Sequence, residues 1–358
     1  MIQSNIRVLI VDDSAVIRGL LARALQTDSG IEVTGTSMHG EAALSFLKRN
    51  EVDVVLLDVE MPVMDGLTTL QEIQKQYPDV HVIMVSSYTM AGAEDTVSAL
   101  SMGAAGCVAK PISNSPSESI RQLSTELLPM VKSLGQSRLR KSTTPVSVRR
   151  DTIVQNNSNA GPMVTPQLVV IGTSTGGPQA LRTVLTGLPK DFPLPILIVQ
   201  HMPPMFTPML AKHIAQDTGR PAKEAEHNEP IQRGVTYVAP GDFHMEVNKL
   251  GDRMVLQLNQ KEPEHYCRPS VNPLFRTAAS WYRNKVLGVM LTGMGEDGIE
   301  GTRTLVENGG YMMAQNEATC VVYGMPRAVV DAGLAKQILP IDSVADEIAK
   351  HCAVAVKV

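Results

Sequence analysis

The sequence of 358 residues lacks the features that mark several specialised classes of protein. Its four cysteines form no Cys-x-x-Cys pair, so neither a zinc site nor a disulfide framework is indicated. The longest apolar runs have the length of strands and are too short to cross a bilayer, and the N-terminus lacks a signal-peptide core. A net charge of -4 gives no electrostatic reason to expect nucleic-acid binding. We therefore expect a cytoplasmic protein with no nucleic-acid partner and no direct membrane insertion.

The length is comfortable for two domains, and short apolar runs recur in two separate parts of the chain. In the first part they alternate with helix-like segments such as residues 14–26, where Ser14 is a candidate N-cap. Alternating strands and helices predict an α/β domain with a doubly wound parallel sheet, the (βα)5 arrangement. The predicted strands of this domain are residues 7–11, 33–36, 54–57, 82–86 and 106–109.

A polar and basic stretch separates the two parts of the chain. Residues 119–134 can form a helix, but residues 138–150 carry four arginines and a lysine and few large apolar side chains, which is typical of a linker. Strand-like runs return from residue 168, and they predict a second α/β domain with a mainly parallel sheet and a hairpin near residues 245–258. We expect domains at 1–125 and 166–358, joined by a linker at 126–165.

The predicted strands of the first domain end in residues that can act together. Asp12 and Asp13 follow strand one, Asp58 ends strand three, Ser86 ends strand four and Lys110 follows strand five. Carboxylates clustered at one sheet edge repel each other unless a cation joins them, and oxygen ligands favour Mg²⁺. Asp58 is then placed to accept a phosphoryl group. The alternative is that each aspartate only caps the helix that follows its strand.

These residues resemble the receiver domain of two-component response regulators, over about residues 5–125. The motifs that carry the resemblance are Asp12-Asp13, Asp58, Met61-Pro62, Asp65-Gly66, Ser86 and Lys110-Pro111. The resemblance implies phosphorylation of Asp58 by a chemotaxis histidine kinase, with Ser86 and Lys110 as switch residues. It also implies that Mg²⁺ binds Asp13, Asp58 and the backbone carbonyl of Glu60, with Asp12 in the outer shell. Cys107 occupies the position where receivers usually carry an aromatic switch residue.

The second domain begins with a strand that runs into the loop GTSTGG, residues 172–177. A phosphate-binding loop is disfavoured, because no lysine follows the glycines and no G-x-G-x-x-G is present. A nucleophilic serine is favoured, because Ser174 lies in a G-x-S-x-G turn between a strand and a helix. A base and an orienting acid are then required, and His201 and Asp297 follow two later strands. The alternatives are a chance match of the motif and a purely structural Asp297.

The segments GTSTGG, QHM, APGDFHM, RPSVNPLF and LTGMGEDG resemble the catalytic domain of the chemotaxis protein-glutamate methylesterases, the CheB family. The resemblance covers about residues 166–352. It implies Ser174 as the nucleophile, His201 as general base and acid, and Asp297 as the residue that orients the imidazole. Backbone N–H groups near Thr175 and Met294 would then stabilise the oxyanion. Asn272 stands where many members of the family have aspartate, and His244 and His265 are candidates to line the site.

Together the two resemblances imply an esterase, activated by phosphorylation, that demethylates γ-glutamyl methyl esters of methyl-accepting chemoreceptors and also deamidates receptor glutamines. Mg²⁺ is expected in the receiver and no metal in the esterase site. Two alternatives remain open from the sequence. The second domain is either a binding module recruited by the phosphorylated receiver or a serine hydrolase that acts on a small-molecule ester.

Overall fold

The computed structural model describes residues 5–87, 89–111, 115–143 and 165–352, and these form two compact units that divide after residue 147. The first unit contains a five-stranded parallel sheet with the order β2-β1-β3-β4-β5. Its strands are β1 (Ile6–Val11), β2 (Ile31–Ser37), β3 (Val54–Asp58), β4 (His81–Ser86) and β5 (Gly106–Ala109). Its helices are α1 (Ala15–Leu25), α2 (Gly40–Leu47), α3 (Gly66–Gln76), α4 (Met90–Ser101) and α5 (Pro116–Thr143).

The predicted strands of the first unit are all present, and α1 begins directly after Ser14, the candidate N-cap. Ser14 caps α1 by accepting a hydrogen bond from the backbone N–H of Ile17. Helix α1 packs on α5, while α2 packs on α3 and α3 on α4. The doubly wound α/β arrangement expected from the alternating pattern is therefore confirmed.

Helix α5 continues to Thr143 and is therefore longer than the sequence pattern indicated. Its residues Leu123, Leu127, Val131 and Leu134 are fully buried, at spacings that place them along one helix face. The expected linker at 126–165 thus overlaps α5 up to residue 143, and its residues 144–164 lie outside the described ranges.

The second unit is built on a seven-stranded sheet with the order β14-β13-β12-β6-β7-β9-β8, and every pairing in it is parallel. Its strands are β6 (Leu168–Thr173), β7 (Ile196–Gln200), β8 (Ala222–Glu224), β9 (Thr236–Val238), β12 (Val286–Met290), β13 (Tyr311–Gln315) and β14 (Gln337–Leu339). The expected hairpin is the antiparallel pair β10 (His244–Leu250) and β11 (Arg253–Asn259). The helices are α6 (Gly177–Gly187), α7 (Thr207–Thr218), α8 (Val271–Tyr282), α9 (Ile299–Glu307), α10 (Met325–Asp331) and α11 (Ile341–His351).

The first strand of this second sheet, β6, lies between β7 and β12, so the order of the strands reverses there. In open α/β sheets a crevice forms at such a switch point, outside the carboxyl ends of the strands. Gly172 of β6 pairs with Val199 on one side and Met290 on the other. The loops that follow these three strands therefore meet at one place. Within the described ranges, no helix has the length and apolarity that a bilayer crossing requires.

The buried face of α5 leads to a prediction about stability. We expect Leu127→Ala to lower the free energy of unfolding by about 2–5 kcal/mol, because it leaves a cavity under the helix. The exposed Thr125, half a turn away, provides the control, and Thr125→Ala should change the free energy by less than about 0.5 kcal/mol. Urea unfolding of both variants measures the difference. If both variants changed the free energy of unfolding by an equally negligible amount, this part of α5 would not be packed against the unit.

Candidate active site and acidic cluster

Three carboxylates meet at the carboxyl edge of the first sheet. Oxygens of Asp12, Asp13 and Asp58 all lie within 4.8 Å of one another. Asp12 and Asp58 are buried and Asp13 is exposed. Lys110 Nζ lies 2.9 Å from Asp12 Oδ2 and 2.7 Å from Asp58 Oδ2. Burial raises the pKa of Asp58 to about 6, with a further contribution from the charge of Asp12 and against the effect of Lys110.

The alternative that these aspartates only cap helices is partly supported for Asp12. Asp12 Oδ1 accepts a hydrogen bond from the backbone N–H of Ser14, at 2.8 Å. Helix α3, which follows Asp58, is capped instead by Asp65, whose Oδ1 accepts from Thr68 N–H at 2.7 Å. Asp58 therefore does not serve as the cap of the helix after its strand. A side chain at Gly66 would approach the Asp58 carbonyl to 2.1 Å, which explains the glycine in Asp65-Gly66.

The donor set fits a hard divalent cation. Oxygens bound to Mg²⁺ at about 2.1 Å lie within about 4.2 Å of one another, slightly closer than the carboxylates here. Asp13 is exposed. Glu60 lines the same cleft as Asp13, together with Asp65 and Asp95. The expected metal residues Asp12, Asp13, Asp58 and Glu60 are thus brought together, with oxygen as the common donor.

Ser86 and Lys110, the two expected switch residues, lie beside this cluster at the ends of neighbouring strands. The hydroxyl of Ser86 is buried and donates to the carbonyl of Gly92 in α4, at 3.1 Å. The backbone N–H of Lys110 donates to the carbonyl of Ser86, at 2.8 Å. Cys107 lies on β5, where burial raises the pKa of its thiol to about 12. An uncharged thiol at this position lacks the ring that receivers usually use for their switch.

The second site forms where β6, β7 and β12 end. Thr173 of β6 pairs with Gln200 of β7, so Ser174 and His201 follow directly on adjacent strands. The backbone N–H of His201 donates to the Thr173 carbonyl, at 3.2 Å. The side-chain amide of Gln200 donates to the Ser174 carbonyl, at 2.9 Å. These bonds hold the serine turn against the start of the histidine loop.

The turn that carries Ser174 depends on its glycines. Gly176 has a φ of 77°, a left-handed conformation that glycine adopts without strain. A side chain at Gly177 would approach the Gln200 side-chain oxygen to 1.9 Å. Across the crevice, a side chain at Gly293 would approach Ser174 Cβ to 2.9 Å, so the loop after β12 lies directly against the serine.

The two expected oxyanion donors lie in these loops. Thr175 follows Ser174, and Met294 follows the glycine that contacts it. The Thr175 carbonyl accepts a hydrogen bond from the hydroxyl of Thr292, at 3.0 Å, which ties the two loops together. In the described part of the chain, the backbone N–H groups of Thr175 and Met294 donate to no protein acceptor. Both are therefore available to an oxygen in the crevice.

Asp297 and His201 form a buried pair. His201 Nε2 lies 2.7 Å from Asp297 Oδ2, and the carboxylate is 2% exposed. Asp297 also accepts hydrogen bonds from the hydroxyl of Ser270 and the backbone N–H of Val271, each at 2.7 Å. Burial alone would raise the pKa of Asp297, but His201 and these two donors hold it below its usual value. The carboxylate is thus kept ionised and fixed in orientation.

The other ring nitrogen of His201 faces a residue that the sequence did not single out. His201 Nδ1 lies 3.5 Å from the sulfur of Cys267. Burial would lower the pKa of His201, but the hydrogen bonds to Asp297 and Cys267 raise it to about 10. Among the described residues, no hydrogen bond joins the Ser174 hydroxyl to His201. The structure therefore brings all three expected residues to one crevice, with the imidazole turned toward Cys267.

The remaining candidates have structural partners. His244 is buried, and its Nδ1 accepts from the backbone N–H of Ser270, at 3.2 Å. Asn272 is buried as well, and it donates to the Glu300 carboxylate at 2.7 Å and accepts from Gly301 N–H at 2.8 Å. His244 therefore supports the residue that holds Asp297, and Asn272 joins the starts of α8 and α9.

Sequence reasoning missed Ser270, Cys267 and Gln200 as members of the site. Ser270 carries a recognisable signal, since a serine before an apolar helical pattern predicts an N-cap. No local pattern indicates that its hydroxyl bonds Asp297, because the two residues are 27 positions apart.

Comparisons with known proteins match both units of the chain to known families. Residues 169–348 match the CheB methylesterase family model, and residues 8–119 match that of the response regulator receiver domain. Two relatives are named protein-glutamate methylesterase/protein-glutamine glutaminase. The one from Caulobacter vibrioides is 45% identical and covers 96% of this chain and 98% of its own. The one from Paramagnetospirillum magneticum is 43% identical and covers 98% of this chain and 97% of its own.

One solved structure supports the fold of the second unit. The crystal structure of the CheB methylesterase catalytic domain from Thermotoga maritima is 39% identical over 52% of this chain and 99% of that chain. The TM-score is 0.51.

The raised pKa of Asp58 leads to a prediction about Mg²⁺ binding. A proton on Asp58 competes with the cation, so the affinity for Mg²⁺ should fall as the pH is lowered through about 6. Isothermal titration calorimetry between pH 5 and pH 8 measures this dependence. Asp58→Asn has no proton to lose there and is the control. An unchanged affinity for the wild type across that range would contradict the metal assignment.

The environment of His201 leads to a prediction about the reactivity of Ser174. The imidazole must be neutral to accept the serine proton, so labelling of Ser174 by a fluorophosphonate should increase with pH toward about 10. Cys267→Ala removes one interaction that raises this pKa, so its rate profile should shift to lower pH. Cys320→Ala, at a buried cysteine elsewhere in the unit, is the control. Coincident profiles for the wild type and Cys267→Ala would show that the sulfur does not influence His201.

Proposed function

The chain belongs to the CheB methylesterase family and carries a receiver domain, and from this premise we propose a serine esterase mechanism in which phosphorylation of Asp58 activates Ser174. The enzyme removes methyl groups from γ-glutamyl methyl esters of chemoreceptors during chemotactic adaptation, and it is also a protein-glutamine glutaminase. The observation that carries the mechanism is the buried His201–Asp297 pair beside the Ser174 turn.

In this mechanism, Ser174 attacks the ester carbonyl while His201 takes its proton through Nδ1. Because Nε2 bonds Asp297, Nδ1 is the nitrogen that remains for this step, and the imidazole must exchange Cys267 for Ser174 as its partner. Asp297 orients the ring and stabilises the imidazolium that forms. The backbone N–H groups of Thr175 and Met294 stabilise the tetrahedral oxyanion.

The intermediate then collapses in two steps. Methanol leaves with the proton held by His201, and an acyl-enzyme forms on Ser174. Water, deprotonated by His201, hydrolyses the acyl-enzyme to the free γ-carboxylate. The same sequence on a glutamine side chain releases ammonia, which accounts for the glutaminase activity. None of these steps calls on a metal ion.

The receiver supplies the regulation. Asp58 accepts a phosphoryl group from a chemotaxis histidine kinase. Asp13, Asp58 and the backbone carbonyl of Glu60, with Asp12 in the outer shell, would hold Mg²⁺, which would supply positive charge for the transfer. Lys110, 2.7 Å from Asp58, supports the same charge. Ser86 then exchanges the Gly92 carbonyl for a phosphoryl oxygen, which shifts a two-state equilibrium toward the active enzyme.

The organisation of the chain follows from these roles. The receiver extends through α5 to residue 143, since α5 packs on α1. The linker follows it up to residue 165, and the catalytic domain occupies residues 166–358. The methylated receptor segments are the substrate, and the enzyme acts on them from the cytoplasm without inserting into the membrane.

Methanol release from methylated chemoreceptor membranes tests the whole mechanism. We expect wild-type protein to release methanol, and acetyl phosphate with Mg²⁺ to increase the rate. Ser174→Ala should lose activity about a thousandfold or more, because the acyl-enzyme is no longer formed. Asp58→Asn should keep the basal rate and lose the response to acetyl phosphate.

Each alternative gives a different result. A binding module would release no methanol and would not be labelled by a fluorophosphonate. An esterase for small molecules would be labelled at Ser174 but inactive on receptors. A rate of methanol release that does not change with acetyl phosphate would support the esterase activity but exclude activation through Asp58.

A further inference from the structure

A tight turn at residues 264–267 borders the esterase crevice. The backbone N–H of Cys267 donates to the Glu264 carbonyl, at 2.9 Å, and closes the turn. The two central residues, His265 and Tyr266, have φ angles of 50° and 63°. Turns with two positive φ angles favour asparagine and glycine, because other side chains are strained there. Two larger residues are therefore held in an unfavourable backbone conformation at this site.

The turn is fixed to the catalytic residues. Cys267, its last residue, places its sulfur 3.5 Å from His201 Nδ1. An ion pair between Arg276 and Glu264, at 2.5 Å, and a hydrogen bond between the His265 imidazole and the Glu300 carboxylate, at 3.1 Å, hold Glu264 and His265 in place. The strained turn at residues 264–267 is therefore held in place by contacts with the rest of the unit.

Tyr266 contributes nothing to the packing of the fold. Its relative exposure is 103%, the highest among the exposed large hydrophobic residues. Adjacent Cα atoms are about 3.8 Å apart, so the backbone of Tyr266 lies next to that of Cys267, whose sulfur contacts His201. An exposed aromatic ring on a rigid backbone is the kind of residue that anchors protein–protein contacts. A strained backbone that presents such a ring points to a role outside the folded chain.

We propose that Tyr266 is a specificity-determining residue that packs against the protein substrate beside the γ-glutamyl methyl ester. This inference rests on the proposed role of Ser174. The ring is exposed to solvent next to Cys267, so it is free to contact side chains that flank the modified glutamate on the substrate surface.

Two variants separate recognition from catalysis. Tyr266→Ala removes the ring, and the double variant His265→Asn with Tyr266→Gly gives the turn its favoured residues. For both we expect kcat/KM for methanol release from receptor membranes to fall about tenfold. The rate of Ser174 labelling by a fluorophosphonate should change less than twofold, and Tyr266→Phe should retain most of the activity. The double variant should also have a higher Tm than the wild type, because the strain is relieved.

Leu250→Ala is the matched control. Leu250 is 60% exposed, and it lies at the far end of β10 from His244, about 20 Å along the strand. It should leave both rates unchanged.

Three results would overturn the inference: normal methanol release by Tyr266→Ala, equal losses of methanol release and Ser174 labelling, or a lower Tm for the double variant. A failure of the proposed Ser174 mechanism would give a distinct result, because the fluorophosphonate would then still label the Ser174→Ala variant.

Discussion

The hydrogen bond between Asp297 and His201 is the interaction on which the catalytic unit depends. A carboxylate that is 2% exposed loses its hydration, and this loss is offset only if every oxygen finds a donor. Here the donors come from three places: the imidazole of His201, the hydroxyl of Ser270 and the backbone of α8. The position of α8, the loop after β12 and the end of β7 are therefore coupled through one side chain.

The acidic cluster of the first unit also lies at the carboxyl edge of a parallel sheet, but its carboxylates have fewer donors than Asp297 has. In the catalytic unit, one carboxylate is stabilised by many donors and kept ionised. In the receiver, two of the three clustered carboxylates, Asp12 and Asp58, share one lysine, and burial raises the pKa of Asp58 to about 6. The repulsion that remains between the carboxylates favours a bound cation. In both units parallel strands carry the residues to one sheet edge, while the neighbours at that edge decide whether a charge is satisfied or left to bind a ligand.

Much of this arrangement could be predicted from the sequence, because the residues at strand ends are set by topology. Asp58 and Ser86 end their strands, and Lys110, Ser174 and His201 follow theirs, so short apolar runs suffice to place them. The end of α5 was harder to predict, since the residues after Leu134 are mostly polar and basic and lack the apolar spacing of the preceding turns. The three-residue strands β8 and β14 are too short to show a pattern.

The contacts that were not predicted all depend on distant parts of the chain. Ser270 reaches Asp297 across 27 positions, and Cys267 reaches His201 across 66. Both belong to the segment between β11 and α8, where the local sequence favours turns but does not specify what they face. That segment gives the imidazole two possible partners, since Nδ1 faces the sulfur of Cys267 while the ester chemistry requires it to face Ser174. The hydrogen bonds to Asp297 and Cys267 raise the pKa of His201, so both contacts favour the protonated ring, which has no free lone pair for the serine proton. Exchange of Cys267 for Ser174 as the partner of Nδ1 removes one of these contacts and so favours the neutral imidazole that the ester chemistry requires.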